Sequence, residues 1–180
     1  MSYENKTRLE VQTVLRDNIL EAFRFLRKEG WGVMEFANAS FQRADKIVLM
    51  NYAASRRVGF QAHTHEMDGN DLMRVDSWIE EQSWQIHCVC KRPTNSANIQ
   101  ETAEDMANLL VAWFNGRGCD FFRKYGMSNL RIDSDAIFVY NDNSDLYQKR
   151  AVFTVKIVVP KEMKAEDIGL DVLIPKILPV

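Results

Sequence analysis

The chain is short of cysteine, proline and long apolar runs, and each shortage excludes something. Three cysteines in 180 residues are an odd number with no framework spacing, which excludes a disulfide scaffold and suits a reducing compartment. Apolar runs stop after a handful of residues, far below the roughly 20 that span a bilayer, so no membrane partner is expected. The opening "MSYENKTRLEVQ" has no apolar core of the kind a secretory signal needs, and synthesis in the cytoplasm is the expectation. A net charge of −2 and a pI near 5.9 leave no basic stripe of the kind a nucleic-acid-binding module carries. There is no G-x-S-x-G elbow, Walker loop, dinucleotide fingerprint or H-E-x-x-H. "DGND" and "DNSD" are acidic but lack the glycine and distal glutamate of a calcium loop, and they read as turns.

What is present is core-forming material. A chain that is 46% hydrophobic and 27% charged is long enough to bury one globular core. Thr7 with Glu10 makes a capping box. Val11, Leu15, Ile19, Ala22 and Leu26 follow as a helical stripe, with Gly30 and Gly32 as the stop. From Val33 to Arg92 the pattern turns to β in four stretches: "VMEFANASFQ", "KIVLMNYAA", "RVGFQAHTHEM" and "SWIEEQSWQIHCVCK". The third and fourth are expected to pair antiparallel across a loop around Met67–Asp76. A second helix, capped by Asn98 with Glu101, buries Ile99, Ala103, Met106, Leu110 and Trp113 and closes at Gly116. "CDFFRKYG" adds a turn or two. "LRIDSDAIFVY" and "QKRAVFTVKIVVP" form a hairpin about "NDNSD".

The order α-β-β-β-β-α-β-β implies an α+β fold, a mainly antiparallel sheet with two main helices on one face. The domain is expected to span 1–160. Residues 161–180 are expected to form an extended arm, because Pro175 and Pro179 forbid a long helix there. The arm's aliphatic residues Ile168, Leu170, Val172, Leu173 and Ile174 either fold back on the chain's own sheet or dock on a neighbouring subunit by strand addition.

Two clusters invite chemistry. In "WQIHCVCK" strand alternation puts Cys88 and Cys90 on one face with Trp84 and Ile86, so both cysteines read as core, and a structural zinc site lacks its second pair. In "HTHE", His63 and His65 share a face about 7 Å apart. If Val58, Phe60 and Ala62 pair with Trp84, Ile86 and Cys88, then Glu81 falls opposite His63 or His65, and the simple reading is a cross-strand His–Glu pair. The competing reading is a small metalloenzyme using His63, His65 and either Glu66 or Glu81. The Arg43/Lys46 and Arg56/Arg57 pairs read as solvated turns. No metal and no cofactor is expected.

Three stretches carry a resemblance. They are "MRVDSWIEEQSWQIHCVCKRP", "ETAEDMANLLVAWFNGRGCDFFRKYGM" and "DLYQKRAVFTVKIVV", the last with Tyr147, Arg150 and Ala151. In this order, over roughly residues 74–159, the chain resembles the phage neck or tail-terminator proteins, which close the head-proximal end of a tail tube. The resemblance implies a non-enzymatic structural protein of the virion, at the head–tail junction, assembled in the host cytoplasm. It implies a homo-oligomer, a six-subunit ring, with the tail tube protein and a head-completion or neck protein as partners and a sheath protein as a further one. Genome DNA would pass through the lumen without specific binding, and a mildly anionic bore would let it slide. Another virion component of similar fold, such as a head-completion or tube-like subunit, is the neighbouring alternative. Arg150 is expected to anchor the hairpin by pairing with Asp133, Asp135 or Glu104, or else to stand exposed.

Overall fold

A computed structural model describes residues 5–35, 46–68, 71–91, 102–133, 137–140 and 148–166. Helix α1 (Arg8–Leu26) starts where the capping box requires: the Glu10 N–H donates to Thr7 Oγ1 at 3.2 Å, and the Glu10 carboxylate accepts from the Thr7 backbone. It stops earlier than the glycines suggest. Arg27 itself takes the left-handed conformation, at φ 52°, and the Lys28 N–H donates to the Phe23 carbonyl. The expected stripe holds, with Val11, Leu15, Ile19 and Ala22 all buried.

Helix α2 (Ala103–Phe114) is capped by Thr102 with Asp105 as a second capping box. The expected pair Asn98 and Glu101 lies outside the described residues. Helix α3 (Arg117–Lys124) follows almost without a break, and Gly126 turns the chain at φ 68°.

One sheet contains the six described strands: β1 (Gly32–Glu35), β2 (Lys46–Asp68), β3 (Asp71–Lys91), β4 (Ser128–Asn129), β5 (Ile137–Tyr140) and β6 (Gln148–Glu166). The order is β1-β2-β3-β6-β4, with β5 also on β6. Among the described strands only the β1–β2 pair is parallel. This is an α+β fold, with a mixed and mainly antiparallel sheet. Val48, Met50, Trp84, Ile86, Cys88, Cys90, Phe153 and Val155 meet the stripes of α1 and α2 in one core. Fully burying side chains of this size is worth about 1.5–3 kcal/mol each. Among the described residues, the opposite face carries a second, smaller cluster of Ile47, Leu49 and Val89 with Met34.

Three expectations about the strands need correction. The second and third expected strands are one, since β2 runs through Ser55–Arg57 without a break. The turn between the third and fourth expected strands is far shorter than Met67–Asp76: Asp68 pairs with Asp71, leaving two residues between. With the turn there, Val48, Met50 and Tyr52 oppose Cys88, Ile86 and Trp84, so Val58, Phe60 and Ala62 do not hold those core positions. Strand β6 continues past Pro160 to Glu166, pairing with β3 as far as Met73. Residues 160 and 161, where the domain of 1–160 and the arm of 161–180 are expected to meet, both lie in this strand.

Candidate functional site

Beyond the row Tyr52–Trp84–Val155 the described sheet continues as β2 from Ala54, β3 up to Ser83 and β6 from Lys156, with β4 alongside β6 at Ile157–Val158, and past that row it is a three-stranded ribbon. Strand β3 pairs with β6 without a register shift, so its side chains alternate strictly between two faces. Even-numbered positions of β3 share the helix side with Trp84. Odd-numbered positions face away.

The face turned away from the helices is built around Glu81. Only 4% of this side chain is exposed, because Arg56 and Lys156 lie over it. Arg56 donates from Nε at 3.1 Å and from a terminal nitrogen at 3.3 Å, a two-point contact with the carboxylate. The next row along the ribbon is apolar: Val58, Ile79 and Pro160 stand side by side on three strands, and Val58 and Ile79 are exposed.

Strand β2 carries two register shifts, at Tyr52/Ala54 and Val58/Ala62. The second places three residues of β2 against one of β3, with Gly59 at φ 81°, a conformation glycine adopts without strain. This bulge throws Phe60 out of the sheet, where it is 101% exposed. Its position two residues from Val58 suggests a core strand residue, and the bulge is what breaks that pattern. Gly59 inside a strand pattern was the available signal.

On the helix side of the ribbon, Arg57 lies over the Trp78 ring at 4.8 Å. Further out, His63 Nδ1 is 2.5 Å from Asp76 Oδ1, and Arg74 Nε donates to the same oxygen at 3.0 Å. The hydrogen bond from His63, reinforced by Arg74, holds the Asp76 carboxyl below the usual carboxylate range. The chain's N-terminal segment reaches the ribbon here: the Glu162 N–H donates to Asn5 Oδ1 at 2.8 Å, and Lys161 bonds the Lys6 carbonyl.

The proposed metal ligands are not brought together. His63 lies opposite Asp76, His65 opposite Arg74, and Glu81 opposite Arg56. Glu81 points away from the helices whereas His63 and His65 face their side, so the expected His–Glu pair does not form. Glu66 pairs with Lys164 at 3.1 Å. Among the described residues no group of three or more His, Cys, Asp or Glu side chains could hold a metal ion. Cys88 and Cys90 are buried core residues, and burial pushes the Cys88 thiol far above its ordinary range. His87 sits on the face away from the helices, diagonal to Arg150; burial first, and the Arg150 charge second, hold its pKa down.

Arg150 is half-buried in β6, opposite Val89 and Val139. Of its expected partners, Asp133 pairs with Arg131 at 3.1 Å, Glu104 is an exposed residue in the first turn of α2, and Asp135 lies outside the described residues. The arm residues Ile168, Leu170, Val172, Leu173 and Ile174 also lie outside them. A cleft of about 530 Å³ is lined by Lys28, Asp105, Asn108 and Leu109, but its one carboxylate is already spent capping α2. No described helix is long and apolar enough to cross a membrane. Neither a protein-family model nor a curated protein matches the chain.

Proposed function

We propose that this chain is a structural subunit of a virion, which assembles with copies of itself into a ring that caps the head-proximal end of a phage tail tube. The observation that supports self-assembly is the ribbon. Phe60, Val58, Met67, Ile79 and Met163 are large apolar side chains 38–101% exposed, with Val58 and Ile79 adjacent on the face away from the helices and Met67 and Met163 on the other face of the same ribbon. Exposed apolar side chains gathered on one projecting ribbon support a contact surface there. The tail-terminator role itself rests on the resemblance over residues 74–159. On this reading the ring joins the tail tube protein on one side and a head-completion or neck protein on the other, with genome DNA passing through.

The test is functional. Purified tail-tube subunits should stop polymerising at an end capped by this chain. A phage lacking it should make tails of uncontrolled length that fail to join heads. Tails of correct length joined to heads in its absence would refute the role.

A further inference from the structure

Strand β1 pairs with β2 only from Ile47 to Met50. From Asn51 onward the second edge of β2 meets no strand among the described residues. Natural edge strands are usually blunted by lysine, proline or bulges. Between Asn51 and Met67 this one has no lysine and no proline, and its two bulges bracket a regular stretch, Ala54–Val58. That stretch is exposed and leads into Phe60.

The opposite edge of the ribbon delivers a candidate occupant. Strand β6 runs toward the ribbon tip and reaches Glu166 opposite Met73. The residues that follow, "DIGLDVLI", put Ile168, Leu170, Val172 and Ile174 at alternate positions, as a half-buried strand requires. We propose that Asp167–Ile174 of one copy adds as an edge strand to Ala54–Val58 of a neighbouring copy. The inference rests on the self-assembly reading and names the surfaces that would carry it.

Charge fits this pairing. Positions 51–65 of β2 include Arg56 and Arg57 and no acidic residue, whereas positions 166–174 include Glu166, Asp167 and Asp171 and no basic one. Reach favours a neighbour over the same chain. Eight extended residues span at most about 29 Å. Reaching a position outside β2 from β6 takes three strand spacings, about 14 Å, and returning six residues from the Met73 row to the Ile79 row takes about 20 Å more. The segment would be used up before lying along its own Ala54–Val58. Strand β6 itself runs away from the helix-covered body where it reaches Glu166. Pro175 follows at once and, lacking an N–H, ends the pairing. Donor and acceptor are different surfaces of one chain, the heterologous arrangement that closes into rings.

Complementation with full-length variants tests this. One variant combines Ile168→Asp, Leu170→Asp and Val172→Asp. A second pair is Ala54→Pro and Ser55→Pro, made separately. Adjacent strand residues point their N–H groups to opposite edges, so one proline faces the open edge and the other breaks the β3 ladder. Circular dichroism identifies the one that stays folded. By light scattering the tail variant and the folded proline variant should each be single chains, and their mixture should give a one-to-one dimer and nothing larger. Two results would overturn strand addition while self-assembly stands: either variant assembling like the unmodified chain, or a mixture that stays monomeric. An unmodified chain that is itself monomeric would instead remove the self-assembly reading, and the inference with it.

Discussion

Gly118 is the tightest single position among the described glycines. A Cβ there would lie 3.0 Å from both a ring carbon and the carbonyl oxygen of Trp113. The same tryptophan donates its indole N–H to Asn18 Oδ1 at 2.8 Å, and Asn18 donates to the Gly118 carbonyl at 3.0 Å. One residue from each of α1, α2 and α3 is thus locked to the others in a buried spot. Gly118→Ala should cost about 1–3 kcal/mol in urea unfolding, while Gly32→Ala, whose Cβ would meet nothing within 4 Å, should change little. Asn18→Leu should cost a similar amount, because it strands a buried indole N–H and a carbonyl. His87 should give the chain a pH signature. Its pKa lies below the ordinary 6.5 when folded, so the unfolded chain binds the proton first and stability falls as pH drops through 6.5. Asp76, whose pKa is also lowered, acts in the same direction but only as pH falls below the ordinary 3.8. Denaturation midpoints followed from pH 7.5 to 5 should therefore decline in the wild type and flatten in His87→Leu.

The helices were the easiest elements to read. A Thr-x-x-Glu box and a 3–4 apolar spacing are local signals, and α1 obeys them. Its end departs from the sequence signal: a glycine three residues downstream is the commoner stop, yet Arg27 takes the left-handed turn. Arg27→Gly should relieve that strain and raise stability by about 1 kcal/mol, measurable as a higher unfolding midpoint. Thr102→Ala should remove the α2 cap at a cost of about 1 kcal/mol. Strand existence was legible and strand register was not. A break at Ser55–Arg57 looked natural because those residues are polar. In the sheet, Arg56 lies over Glu81 and Arg57 over Trp78, so a polar run serves as strand. The bulge at Gly59 adds residues that periodicity counts as faces, which is why Phe60 read as core and lies in solvent.

At the scale of the whole molecule the chain is a one-sided body with a long projection. Helices cover one sheet face, and β2, β3 and β6 run on together beyond them. The metal candidates dissolve at this scale, because the ribbon's two faces separate Glu81 from His63 and His65. What the ribbon leaves is apolar surface, and the account stands on that surface being matched by other copies. Light-scattering mass of the purified, unmodified chain across a concentration series tests this most directly. The account predicts a discrete assembly at a fixed multiple of 20.9 kDa, six copies on the ring that the resemblance implies. A single species of 20.9 kDa at every concentration would contradict it.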